Sequence, residues 1–410
     1  MPDILDHRET WTDQSPSGEM NDDVAQRVEA ILPLFSRRRE RDLFEQGIEL
    51  ALASEPAFHD ALLDVHWLDA PLKNYLRLKL GRPLPAFVKW ADPLCESLLG
   101  HLSALPEVQS LVIGRRYHSS RNPPEPLSLP PVHPNLKTLR LYGPKRTVDL
   151  AGTDLRHITD LGILGVQLTG VGALTALKRL TVNNAPASIL DALAGAPNLE
   201  HFEAIALSPP IPKRFSVREN TRLMTVNVHS AGLQRSPEGI GRLHALQNLN
   251  LSNNDIRFIS DELGELVGLK SLSLSSNQID ALPENIGELV GVKKIRLTVN
   301  QLTDLPASAR NWTALTHLHI ARNPLEQIPP AIIGLPALRV LDVSYTRIEA
   351  LPDAVWPQLT ILNLRGVRLQ TFPAKNAMVG LRQIIVDKDL QEAAEHWARN
   401  RHRRLKVTVE

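Results

Sequence analysis

The sequence predicts an α/β solenoid, in which short parallel strands stack coil upon coil into an open curved sheet behind a helical N-terminal cap domain. Three observations lead there. Aliphatic residues recur with a period near 23 through the second half of the chain, one asparagine returns at the same phase of most periods, and a proline returns on the far side of most units. Repeats of this length are single supersecondary units that bury their apolar faces only against their neighbours.

The strands come first. Leu246, Leu249, Leu251, Asn254 and Ile256 form one block, and Leu269, Leu272, Leu274, Asn277 and Ile279 repeat it 23 residues later. Val292, Ile295, Leu297, Asn300 and Leu302 keep the step, as do Leu315, Leu318, Ile320, Asn323 and Leu325. Leu338, Leu341 and Val343 follow, with Thr346 in the place of asparagine; Leu359, Leu362 and Leu364 come next, then Leu381, Ile384 and Val386. Upstream the pattern loosens. Leu223, Val226 and Val228 keep phase, and Leu199 with Phe202, Leu177 with Leu180, Ile158 with Leu161, Leu136 with Leu139, and Val108 with Leu111 read as earlier members. In each block the two leucines flanking one residue belong to a strand whose alternate side chains point inward. The asparagine amide, which both donates and accepts, suits the backbone groups that turn away after the strand and would otherwise be buried unpaired.

The outer half of a unit reads Leu282-Pro283-Glu284-Asn285-Ile286-Gly287-Glu288-Leu289, and its proline argues for an extended stretch rather than a wide helix there. Together, L-x-x-L-x-L-x-x-N-x-L followed by L-P-x-x-I-G-x-L resembles the leucine-rich repeat family, and within it the 23-residue type found in many bacterial proteins. The resemblance implies a horseshoe with a parallel concave sheet, a protein partner as ligand, and no enzymatic activity. It also suggests a bacterial effector acting in a host cell; a Ras-pathway type scaffold or the recognition subunit of a ubiquitin ligase built on another chain are the alternatives.

The ends differ from the array. Residues 1–20 are polar and aperiodic and read as a disordered tail. Residues 21–105 carry helical spacing in segments such as Val24-Val28-Ile31-Phe35 and Leu94-Leu98-Leu102, broken by Pro56, Pro71 and Pro93, and read as a helical cap domain. The repeats then run over 106–388. In 389–410, Asp389 is expected to cap a helix bearing Leu390, Ala393, Ala394 and Trp397, and Leu405, Val407 and Val409 alternate as an edge strand would. The clusters Arg37-Arg38-Arg39 and Arg401 to Arg404 read as solvated surface.

Composition restricts the chemistry. Forty-six basic against forty-five acidic residues leave a formal charge of +1, which gives no global footprint for nucleic acid. One cysteine, Cys95, excludes a disulfide framework. No apolar run of membrane-spanning length and no secretory signal occur, so a cytoplasmic protein, or one delivered into a host cell without a cleaved signal, is expected. No nucleophile elbow, zinc-protease, P-loop or dinucleotide motif occurs, so no cofactor and no small-molecule substrate are expected.

The informative surface is the strand face, where the residues between the leucines point outward. Its middle is small and polar, with Asn248, Asn250, Ser271 and Ser273. Further along it turns basic and aromatic: Lys294, Arg296, His317, His319, Arg322, Asp342, Tyr345, Asn363 and Arg365 are the expected partner-binding residues. His317 and His319 share a face with Asp342 across the ladder, a set read as wall rather than as a metal site. Arginine and tyrosine are typical interface anchors, and an acidic partner segment is the natural complement.

Overall fold

The computed structural model describes residues 87–91, 108–114, 127–129, 132, 134–150, 153–169, 174–184, 196–206, 222–374, 377–399 and 405–409. The chain divides into two compact units, Met1–Arg116 and Tyr117–Glu410. In the first unit, β1 (Phe87–Ala91) pairs in parallel with β2 (Ser110–Gly114), Val88 against Leu111 and Trp90 against Ile113. The first strand seen therefore lies ahead of the block at Val108 and Leu111, inside the stretch read as helical. The helices expected over 21–105, with the arginine cluster at 37–39 and Cys95, lie outside the described residues, as does Arg401 to Arg404.

In the second unit, β3 (Leu127–Ser128) pairs with β4 (Thr138–Asp149), which pairs with β5 (Asp160–Thr169). From there the ladder runs in strict chain order through β6 (Arg179–Asn183), β7 (His201–Ile205), β8 (Thr225–His229), β9 (Asn248–Asn250), β10 (Ser271–Ser273), β11 (Lys294–Arg296), β12 (His317–His319), β13 (Val340–Asp342), β14 (Ile361–Asn363), β15 (Gln383–Val386) and β16 (Lys406–Val409). Every pairing is parallel. Leu249, Leu272, Ile295, Leu318, Leu341, Leu362 and Ile384 form one register line across seven strands. That line is the aliphatic repeat of the sequence, and its side chains lie at 2% exposure or less. Burying one such side chain contributes roughly 1.5–3 kcal/mol, which is how coils too small to fold alone hold each other.

The asparagines close the coils as their chemistry suggests. Asn300 is buried; its Nδ2 donates to Leu297 O in its own coil and to Leu274 O in the preceding one, and its Oδ1 accepts from Ile279 N–H. Asn277 and Asn323 repeat all three bonds one coil away on either side, and Asn254 starts the series with its Nδ2 on Val228 O and Leu251 O. Thr346, with one hydroxyl proton, reaches only Val343 O.

The outer side is not fully extended, as the prolines had suggested. It carries short 3₁₀ turns at Asp261–Glu265, Glu284–Glu288 and Ala307–Asn311, the last two opened by Pro283 and Pro306 in extended conformation. A 3₁₀ turn is slimmer than an α-helix, so neighbouring turns pack closely. Gly287 sits where they abut: a Cβ there would run into the Ser308 backbone and side chain of the next coil. At the far end, α1 (Lys388–Arg399) buries Ala394 and Trp397, and the Trp397 indole N–H donates to Pro373 O. Asp389 falls inside the first turn rather than at the cap, because the helix starts one residue before it, and Ala393 is exposed.

Candidate functional site

The strand face is a set of rows, since parallel register places equivalent residues of successive coils side by side. One row runs Asn248, Ser271, Lys294, His317, Val340, Ile361 and Gln383; a second runs Asn250, Ser273, Arg296, His319, Asp342, Asn363 and Ile385. Six of the nine expected binding residues occupy these two rows. Arg322, Tyr345 and Arg365 lie two or three residues beyond the strands, on the rim where the chain turns outward.

Part of the polar middle is engaged within the fold. Asn227 Nδ2 donates to Glu203 Oε1, Asn250 Nδ2 donates to Asn227 Oδ1, and Ser252 and Ser273 hydroxyls share a 2.7 Å bond. The charged part differs. Lys294 and Arg296 are exposed, and neither forms an ion pair with a carboxylate of the described residues. Asp342, by contrast, is engaged: it accepts from Ser344 N–H and hydroxyl and lies 3.5 Å from His319 Nδ1. Burial pushes its carboxyl up, but the bonds from His319 and Ser344 overcome that and hold it below the usual carboxylate range.

His317 is held below the ordinary histidine value, first by burial and then by the positive charge of Lys294, His319, Arg296 and Arg339. It is therefore neutral near pH 7, so the wall is less basic than a count of its residues suggests. Its Nδ1 bonds the Thr316 hydroxyl at 2.8 Å. Among the described residues no group of three histidine, cysteine, aspartate or glutamate side chains is placed to hold a metal ion.

On the rim, the Arg322 guanidinium lies 4.4 Å from the Tyr345 ring centroid and that of Arg365 lies 5.7 Å from it. Asp387 supports this end, 3.6 Å from Arg365 Nε and accepting from Gly366 N–H. Gly366 has φ +69°, and a Cβ on it would run into the Tyr345 ring, so the glycine is the floor on which the tyrosine lies. Sequence reasoning missed Asp387, which belongs to a block without the asparagine that marked the phase; the repeat spacing places Val299 on the same wall, but as an apolar residue it is not among the expected binding residues.

Residues 221–279 and 290–348 match the leucine rich repeat family model. Among solved structures, a leucine-rich repeat protein of Leptospira interrogans is similar at 20% identity and TM-score 0.58, over 85% of this chain and 97% of that one. An internalin of Listeria monocytogenes is similar at 20% identity and TM-score 0.53, over 76% and 88%. No curated protein matches by sequence. The class is thus a parallel-stranded repeat solenoid. Its fold is the leucine-rich repeat horseshoe that the Leptospira and Listeria structures share, and residues 221–279 and 290–348 carry the repeat itself. Among the described residues no helix is long and apolar enough to cross a membrane.

Proposed function

We propose that this protein binds a partner protein across the strand face between β11 and β14, that the bound element is an acidic segment, and that the chain carries out no chemistry of its own. The observation that carries this reading is the imbalance of charge satisfaction. Lys294 and Arg296 stand exposed without a carboxylate partner, while the neighbouring carboxylates Asp342 and Asp387 are both engaged within the fold. Unpaired cations on a rigid face steer and orient an acidic partner, and a face built on a continuous hydrogen-bonded ladder loses little entropy on binding. The L-P-x-x-I-G-x-L units are compatible with a bacterial protein acting on a host protein and equally with a Ras-pathway type scaffold, so the class of partner rests on the face and not on the units.

The test is capture of partners from host-cell extract by wild type beside the triple variant Arg296→Glu, His319→Glu, Arg365→Glu, with circular dichroism confirming the fold of both. Partners held by the wild type and lost by the variant are the expected result. Partners retained equally by both move the binding site off this face.

A further inference from the structure

Among the described residues, eight non-glycine residues have left-handed backbone, with φ between 49° and 59°: Asn184, Ala206, Ser230, Asn253, Ser276, Val299, Arg322 and Tyr345. They form a single row, one residue per coil, at the point where each strand turns outward; Gly366, at φ +69°, is the next member. The backbone requires this conformation, because each N–H continues the ladder: Val299 N–H donates to Ala321 O, Arg322 to Ser344 O and Tyr345 to Arg365 O. Left-handed geometry strains every L side chain, least for asparagine and not at all for glycine.

Most of the row meets that demand with asparagine, serine, alanine or glycine. Three consecutive coils do not. Val299 is β-branched, the type for which positive φ is a genuine outlier, and Arg322 and Tyr345 are large. Burial does not compensate them: Val299 is 42% exposed, Tyr345 is 40% exposed, and Arg322 is exposed as well. Strained residues whose side chains face solvent point to a contact that the isolated chain does not make. Arg322 lies over the Tyr345 ring and forms no ion pair with a carboxylate of the described residues, whereas Asp387 takes up Arg365.

We infer that the rim Val299–Arg322–Tyr345 is the anchor for the partner, and that it takes an extended segment of a protein in which a carboxylate stands beside apolar side chains. The carboxylate pairs with Arg322, and the apolar groups cover Val299 and the open part of the Tyr345 ring. This rests on the protein-binding reading and narrows it to one edge of the face. Successive coils lie about 4.8 Å apart, so the three span about 10 Å, the reach of three or four extended residues.

The test uses fluorescein-labelled synthetic peptides followed by fluorescence anisotropy: alternating Glu-Leu, alternating Glu-Ser and alternating Lys-Leu. They are titrated against wild type, a rim variant (Val299→Asn, Arg322→Asn, Tyr345→Asn) and a wall variant (Lys294→Glu, Arg296→Glu). Asparagine accepts left-handed backbone, so the rim variant is expected to melt no lower than wild type while binding the Glu-Leu peptide about tenfold or more weakly. Wild type is expected to prefer Glu-Leu over both other peptides. Undiminished binding of Glu-Leu by the rim variant, no preference for it by wild type, or no binding of it at all overturns the inference. If the wall variant alone fails, the anchor leaves the rim while binding on the face stands; if neither variant fails, both readings fall.

Discussion

Replacing Asn300 by alanine separates the asparagine ladder from mere aliphatic stacking. Its three bonds are not equivalent. Leu274 O and Leu297 O each accept from a second asparagine, Asn277 and Asn323 respectively, so both carbonyls keep a partner in the variant. Ile279 N–H loses the Asn300 Oδ1 that it donates to in the buried interior. An orphaned buried donor costs about 1–3 kcal/mol, and weakening each doubly served carbonyl adds about 0.5 kcal/mol, for a total of roughly 2–4 kcal/mol. The loss is local, since each coil leans only on its neighbours. The measurement is native-state hydrogen exchange at the amides of β10, β11 and β12, alongside urea unfolding followed by circular dichroism. Asn363→Ala is the internal control: its Oδ1 accepts from Arg365 N–H in a half-buried position, and its loss is expected to cost about 1 kcal/mol or less. A cost at Asn300 no larger than at Asn363 would refute the ladder as a source of stability.

Thr346→Asn is expected to stabilise by about 1 kcal/mol, because an amide there reaches back a coil where the hydroxyl serves only Val343 O; an unchanged urea midpoint counts against it. Gly287→Ala is expected to cost about 1–3 kcal/mol by driving apart the outer turns at Ser308, and thermal melting that matches wild type would show that the turns yield instead. Stability also depends on His317. Its folded value lies below the ordinary 6.5, so the unfolded chain binds more protons and stability falls as pH drops through and below 6.5. His317→Gln is expected to flatten that slope in urea titrations at pH 7, 6 and 5, and an unaltered slope places the titration elsewhere.

The strands were legible because a core position admits few residue types: Leu272, Ile295 and Leu318 are interchangeable aliphatics at a spacing the coil fixes. Even the loosened blocks at Leu161, Leu180 and Phe202 became β5, β6 and β7, since register follows the neighbouring strand more than the count of residues between. The strand at Phe87–Ala91 was not legible, because five residues between proline-broken segments carry too little alternation to stand out from helical spacing. The outer 3₁₀ turns were misread as extended, since proline excludes the middle of an α-helix but accepts the entry to a tighter turn. The nine expected binding residues were readable as positions, not as interactions. Nothing in the sequence says that Asp342 is claimed by Ser344 and His319 while Lys294 is left without a carboxylate.

The rim shows why framework and surface carry separable information in such a fold. Positions that point inward answer to packing, and Asn254, Asn277, Asn300 and Asn323 answer to buried backbone groups, so their identities report the coil and nothing about a partner. The left-handed row answers to a third demand, backbone conformation, and Asn253 and Gly366 meet it at little cost. Replacing such residues by valine, arginine and tyrosine costs about 1–2 kcal/mol at each position, with no packing gained inside the coil. A loss repeated over three adjacent coils needs an offset elsewhere. The chemistry of those three side chains, apolar, cationic and aromatic, is what an acidic and apolar segment would supply it to.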